Sequence, residues 1–544
     1  MHLPNPRLLI SRIAWLAAAA CLASCARHET RVESGNREKV LHWGNGSEPA
    51  TVDPNVQAAA IEATIGSALF EGLVNIAIDG TTILPGVAER WDISADRKVY
   101  TFHLRADARW SDGTPVTADD FAFSFRRVAE PAMGCQVSDT GYAIAGVFDY
   151  VNGRSKDPAS LGFRAVDPRT FELRLLHPAP YILYVLGQTP WMPVPRAVVE
   201  RFGKPFEQGN LWARAGNLVS NGAFTLKSWL PNANLTVSRN PYYWDRAHVR
   251  LSEVRFYPTD NPDTEERGFR SGEFHLTYRV PLSKLAAYRE AKAGVLRISP
   301  QLATWFVVFN THRAPFDKAA VRRAFSLAID RDRLVPDVLH ETATPAHTLC
   351  RPGMGGWTAK PAADYDPDLA RRLLAEAGYP AGAGFPRVEF TTRSSGTDPL
   401  LTEALQQMWQ KELGVRIEVA QQEPKVVIDT LYSHDFQIGL SGWFAGIDSQ
   451  EFVLTLARGG SPSNMADWAD PAFDRAFRAA EEALTPAEHG AAAEAMEERI
   501  REEAPYAPIY YFNQCQLVDP SLHGWQGNLI QQTDWRALSV GDAP

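Results

Sequence analysis

Cys25 is the residue whose setting most clearly permits chemistry. It follows Leu22-Ala23-Ser24 at the end of a short apolar run, a segment that resembles a bacterial lipobox, in which the Cys is diacylated and becomes the first residue of the mature chain. Acyl chains on one residue hold a folded domain at a membrane surface. The alternative is an ordinary secretory signal with an incidental Cys. Ala26 is not Asp, so no inner-membrane retention signal is evident. Beyond Cys25 stand Cys135, Cys350 and Cys515, far apart and odd in number, which allows at most one intramolecular disulfide. There is no C-x-x-C or H-E-x-x-H, so zinc sites of the common spacings are not indicated and no cofactor is expected. There is no G-x-S-x-G elbow and no P-loop, and His, Ser and Asp fall in no catalytic order, so an enzyme is not expected. The 15 Trp and 10% aromatic residues either fill cores or line a pocket for an organic ligand.

These residues sit in a chain of 544 with ordinary globular composition, 45% hydrophobic and 22% charged. The net charge is −9 and no Lys/Arg run reaches five, which argues against a nucleic-acid partner. Arg7 and Arg12 precede the apolar run Ile13 to Leu22, about half the roughly 20 residues a membrane-spanning helix needs. Residues 1–24 therefore read as a signal peptide removed on export. Residues 25–39 are too polar to bury and read as a flexible tether.

The mature chain mixes strands and helices, an α/β class. Val40 to Trp43, Tyr100 to Leu104 and Phe171 to Leu175 alternate as strands. So do the short segments 223–226, 235–237, 388–391, 415–419 and 436–440. Helices are expected over 61–73, from Thr117 (N-cap, with Asp120 at N3) through Val128, over 319–328, and over 368–377 closed by Gly378. Asp470-Pro471 opens an Ala/Glu-rich helical stretch ending near Glu503. Trp110-Ser111-Asp112-Gly113-Thr114-Pro115 is turn chemistry.

Several blocks together carry a resemblance. Ala88-Glu89-Arg90-Trp91, the strand Thr101-Phe102-His103-Leu104-Arg105 and Trp110 to Phe121 follow one pattern. Gly46-Ser47-Glu48-Pro49 with Val52-Asp53-Pro54, Phe70-Glu71-Gly72-Leu73, Asn221-Gly222-Ala223-Phe224 with Asn240 to Asp245, and Pro315-Phe316 with Val321 to Arg331 follow in order. The chain resembles the family 5 extracellular solute-binding proteins, the oligopeptide-binding group of ABC importers, from about Leu41 to Asp534. Most of these motifs read as architecture.

The resemblance implies a two-lobed fold of the periplasmic-binding-protein kind (type II, hinged cleft) with an extra subdomain in the first lobe. The expected division is 40–60, 194–302 and 512–544 for the first lobe, 61–193 for the subdomain and 303–511 for the second lobe. It also implies a monomer in the periplasm that hands oligopeptides or peptide-like solutes to a permease and ATPase complex. The alternative is an envelope sensor for a non-peptide ligand.

Carried over by position, the ligand-binding candidates are Glu48, Tyr278, Arg279, Thr304, Trp305, Phe306, Gly442, Trp443, Phe444, Ala445, Gly446, Asp448 and Tyr511. Glu48 is either a pocket residue or a turn carboxylate. Arg279 meets either a ligand carboxylate or a protein one. Thr304 to Phe306 touch ligand or belong to the core. Family peptide binders read G-W-x-x-D here, the Asp neutralising the peptide ammonium; this chain has Gly446, with Asp448 two residues on as a substitute. A family Arg is replaced by Leu440, and the family's cleft Cys pair corresponds to Ala303 and Phe444. The usual ligand is therefore in question: a peptide gripped differently, an N-blocked or cell-wall peptide, or a non-peptide solute.

Overall fold

The computed structural model describes residues 29–57, 59–291, 294–360, 365–483 and 485–542; Cys25 and the expected signal peptide lie outside them. The stretch expected to be a flexible tether is helical over Arg31–Glu38 (α1). Polarity alone suggested a tether, but a capping box overrides it: Glu33 N donates to Thr30 Oγ1 at 3.1 Å and Thr30 N donates to the Glu33 carboxylate at 2.8 Å. Gly35 then lets α1 lie flat on two buried rings, since a Cβ there would stand 2.9 Å from both His42 and His275.

Strand β1 is Val40–Gly44. Four strands, β2 (Ala88–Ile93), β3 (Val99–Leu104), β4 (Phe163–Asp167) and β5 (Thr170–Arg174), form an antiparallel sheet in the order β2-β3-β5-β4. Then β6 (Phe224–Leu230), β7 (Asn234–Arg239) and β8 (Glu253–Tyr257) return to β1 in the order β1-β8-β7-β6, with β1 parallel to β8. The third sheet holds β9 (Leu296–Phe309), β10 (Ala343–Pro345), β11 (Glu389–Arg393), β12 (Glu418–Gln422), β13 (Ile438–Phe444) and β14 (Tyr506–Leu517), ordered β10-β14-β9-β13-β11-β12.

The first two sheets share one core, from Leu41 through Phe256 and back to Val540, so the expected subdomain has no separate hydrophobic centre. The third sheet buries two: Val307, Phe390 and Trp409 on one face, Phe306, Leu454 and Tyr506 on the other. This is a two-lobed α/β molecule.

The recognisable motifs knit the first lobe. Asp53 accepts from the fully buried Arg127 at 2.6 and 3.1 Å and from Trp212 Nε1 at 3.0 Å. Glu71 accepts from Tyr243 Oη at 2.8 Å and Trp244 Nε1 at 2.6 Å, which joins two distant motifs. Gly113 has φ +89°, the left-handed value that the Asp-Gly turn requires.

Three expectations shift. The helix expected over 61–73 ends at Leu69. The strand expected at 415–419 is Glu418–Gln422, because the preceding helix runs to Leu413 and Gly414 must first reverse the chain at φ +71°. The long Ala/Glu-rich stretch is two helices, Pro471–Glu482 and Pro486–Glu503, since Thr485 caps a new N-terminus and Pro486 takes its first position. Cys135, Cys350 and Cys515 are all buried free thiols, each in a different core cluster.

Candidate functional site

Two long strands, β9 and β14, pass between the lobes. Near the first lobe β9 pairs with β14 from Leu296↔Leu517 to Pro300↔Asn513; the ladder then breaks and resumes at Thr304↔Tyr511. Arg351 bridges the gap, donating to the carbonyls of Gln301 (3.1 Å) and Phe512 (3.3 Å).

On the second-lobe side β9 pairs with β13, with Ala303↔Phe444, Thr304↔Trp443 and Trp305↔Gly442 in register. The ladder thus brings Thr304 to Phe306, Gly442 to Ala445 and Tyr511 together, and strand alternation sends them to opposite faces. Trp305, Gly442 and Phe444 share one face. The Trp305 ring stacks on Tyr510 at 5.4 Å and meets Phe444 edge-on at 5.3 Å and Phe512 at 5.7 Å. A Cβ on Gly442 would lie 2.6 Å from the Trp305 ring, so glycine is what admits that ring. Phe444 is 55% exposed, an open aromatic edge beside the half-buried Trp305. The Arg393 guanidinium lies 5.9 Å above Trp305, held by Asp398 at 2.7 Å.

The other face is structural. Phe306 is fully buried against Tyr506. Thr304 Oγ1 donates to Leu349 O at 2.7 Å. The buried Tyr511 hydroxyl contacts Thr348 and Cys350, including a 2.9 Å bond to Thr348 O. Burial pushes its pKa well up. Thr304 and Tyr511 fix the 348–350 loop, and none of the three presents open surface. Trp443 is half-buried, donating Nε1 to Phe452 O at 2.7 Å. Ala445 is buried, its N–H on Leu302 O at 2.7 Å.

Gly446 is exposed and its carbonyl accepts from Gln188 Nε2 of the first lobe at 2.7 Å. Ile447 packs into the first-lobe core and Phe452 meets Tyr181 edge-on at 5.2 Å, so this loop is where the lobes touch. Asp448 turns away from Gly446 to accept Gly355 N at 2.9 Å in the second lobe, and burial raises its pKa.

From the first lobe, Tyr278 is half-buried and Arg279 exposed, with its guanidinium 5.2 Å over the Tyr278 ring. Their backbone N–H groups both donate to Glu265, at 3.0 and 3.2 Å, and burial pushes Glu265 up to about 7. Glu48 is committed to the β6–β7 hairpin, accepting from Trp229 Nε1 at 2.6 Å and Asn232 N at 3.1 Å.

Beside Tyr278 lies a small concavity walled by Trp43, Tyr278 and Trp525 and by the carboxamides of Gln301, Gln514 and Gln516. A second hollow shares Gln531 and Gln532 with it and reaches Gln188. Sequence reasoning missed these amides. The only local signal is Gln514 and Gln516 at i, i+2, one face of a strand. Among the described residues no His/Cys/Asp/Glu group forms a metal site, and no helix is long and apolar enough to cross a membrane.

Two lobes joined by a hinge-like pair of strands, with an open aromatic edge on the second and a polar-aromatic concavity on the first, define a solute-binding protein. The chain matches the bacterial extracellular solute-binding proteins, family 5 Middle, over residues 82–465, and it belongs to that family. It is 32% identical to the periplasmic oligopeptide-binding protein OppA of Salmonella typhimurium, over 97% of this chain and 96% of that one. It is also 32% identical to the probable deoxycholate-binding periplasmic protein YgiS of Escherichia coli, covering 90% and 91%. The solved structure of the Escherichia coli murein tripeptide binding protein MppA superposes with a TM-score of 0.81 at 30% identity, over 93% and 99% of the two chains.

Proposed function

We propose that this protein binds oligopeptides or peptide-like solutes between its lobes and delivers them to an ABC permease and ATPase complex. One observation carries the reading. The open edge Gly442 to Gly446 of the second lobe and the Tyr278 wall of the first flank the β9/β14 crossing, where the ladder is interrupted. Relatives of similar length are named for oligopeptide and murein tripeptide binding. We place the hinge at residues 300–304 and 511–513, which keeps 303–511 as the moving lobe. Of the carried-over residues, Trp305, Gly442, Trp443, Phe444, Gly446, Tyr278 and Arg279 keep surface for ligand, while the half-buried Glu48 is spent on Trp229 and Asn232. The protein acts as a monomer, tethered through diacylated Cys25, and performs no catalysis.

Native mass spectrometry on the chain from Ala26, purified without denaturation, tests this. A ladder of peptide masses is the expected result; a single non-peptide mass overturns the peptide reading. One observation favours a second reading, a rigid apolar solute: Phe444 is exposed beside Trp305 and Phe512, an unusual open aromatic corner.

A further inference from the structure

The covalent path from Cys25 to the folded body is short. A chain left free as far as Lys39, as polarity suggests, would reach about 50 Å. The structure ends that freedom at Thr30. Val32 is buried and its N–H donates to Gly272 O at 2.9 Å. Arg31 pairs with Glu273 at 3.2 Å and lies 5.1 Å over the Tyr257 ring. Further along α1, Asn36 Oδ1 accepts from His275 Nε2 at 3.2 Å and Glu38 O accepts from Ser252 Oγ at 2.7 Å. The helix is thus fastened to the first lobe at both ends. The turn it leans on is close: a Cβ on Gly272 would lie 2.8 Å from Thr30 Cβ.

Five residue steps separate Cys25 from Thr30, and an extended chain covers at most about 18 Å in that many steps. A compact body of this chain length is about 60 Å across. A leash under a third of the body's width cannot let the far side turn toward the surface that holds it. With Cys25 held at a bilayer, the side carrying Thr30, Arg31 and the 270–273 turn faces that bilayer. The charges of residues 29–33 and 267–273 nearly cancel, Arg31, Arg267 and Arg270 standing against Glu29, Glu33 and Glu273, so a screened electrostatic pull is not what holds this side down. We propose that the chain meets the membrane through one fixed face of its first lobe, the rim of Thr30, Arg31 and the 270–273 turn, with lipid headgroups as the partner. The second lobe is then the part left free to swing when a solute is enclosed. The inference rests on the anchoring of Cys25 proposed above.

The test is energy transfer on the full lipidated chain in phosphatidylcholine vesicles that carry a headgroup-labelled acceptor lipid. The donor dye sits on Ser271→Cys or on Arg416→Cys, both exposed positions, the second beside β12 at the outer edge of the second-lobe sheet. Cys135, Cys350 and Cys515 are buried and Cys25 is consumed by its acyl groups, so labelling is selective. Transfer is expected to be at least about fivefold stronger from 271 than from 416. Inserting about twenty Gly/Ser residues between Glu29 and Thr30 should reduce that difference to less than about twofold. The intact mass reports acylation separately. If the chain is diacylated and the two positions transfer equally, the fixed face is overturned and the anchor stands. If no acyl groups are found, the anchor reading and this one fall together. If the difference survives the insertion, the face holds lipid by its own affinity and the leash account is overturned. Arg270→Cys supplies a second donor position on the same face, which decides the matter where Ser271→Cys fails to fold.

Discussion

Gln188 Nε2 donates to the carbonyl of Gly446 at 2.7 Å, and this bond runs from the first lobe to the second. It uses backbone on one side, so the bond does not depend on which side chain stands at 446. A Cβ at Gly446 would come no closer than 3.9 Å to anything but its chain neighbours, with Gln188 Oε1 its nearest contact, so the position also has room.

Gln188 is half-buried at the rim of a hollow shared with Gln531 and Gln532. Gln188→Ala removes one interlobe hydrogen bond, a net contribution of about 0.5–1.5 kcal/mol. If that bond forms on closure, ligand affinity should fall about 2- to 12-fold with the melting temperature nearly unchanged. Titration beside a thermal melt checks both.

Phe444 and Trp443 are neighbours with opposite expectations. Phe444 is open to solvent, so Phe444→Ala should weaken ligand binding while leaving the unliganded protein's melting temperature nearly unchanged. Trp443 packs against the second-lobe core and holds Phe452 O, so Trp443→Ala should lower the melting temperature by several degrees. Melting curves of the two variants, run without ligand, separate the cases.

Much of the fold was legible in the sequence because its motifs are pairs of partners. Asp53 and Arg127, or Glu71 and Trp244, stand in different blocks and bond to each other in the structure. The resemblance also placed Ala303 opposite Phe444, and the strand register has them as partners. The cleft was less legible. A contiguous triplet such as Thr304-Trp305-Phe306 on a strand must split between two faces, so it could not line one pocket as a unit. Glu48 and Asp448 carry the right chemistry for a ligand, but Asn232 and Gly355, distant in sequence, hold them. Gln301, Gln514 and Gln516 gather from two strands about 200 residues apart in sequence, and no local pattern marks them together.

The buried Arg127 cluster should be intolerant of charge removal. Arg127→Met leaves the Asp53 carboxylate, now held by Trp212 and Asn55 N alone, in a dry core. Breaking a buried pair from one side costs about 3–5 kcal/mol. Chemical denaturation should show that loss in full, and Asp53→Asn combined with Arg127→Met should recover part of it.

Cys25 gives a test of anchoring independent of the folded domain. Cys25→Ser should abolish incorporation of labelled palmitate and move the protein from the membrane fraction to the soluble one, with ligand binding unchanged. Retention in the membrane fraction would mean that another element holds it there.

The last prediction concerns acid. His42 and His275 are buried and stacked at 5.7 Å beneath α1, and His42 N donates to His275 Nδ1 at 3.0 Å. That nitrogen is therefore an unprotonated acceptor, and burial lowers the two rings to about 3 and about 4. The unfolded rings titrate at about 6.5, so between there and about 4 the unfolded chain binds more protons than the folded one. The stability the pair contributes is complete above about pH 6.5 and is lost progressively as pH falls through the folded values. Glu265 and Glu497, buried and raised to about 7, work in the opposite direction: their contribution is complete below the ordinary carboxylate range and lost as pH rises through about 7. The net profile of the wild type therefore mixes two slopes, and variants separate them. His275→Asn should flatten the fall in denaturation free energy between pH 6.5 and 4.5, and Glu265→Gln should flatten the change between pH 4.5 and 7. Because α1 rests on the His pair through Gly35, proteolysis near Arg31 to Glu38 should quicken on acidification in the wild type before the rest of the chain becomes accessible. An α1 that stays protected until global unfolding would show that protonation of the pair is not felt at the helix.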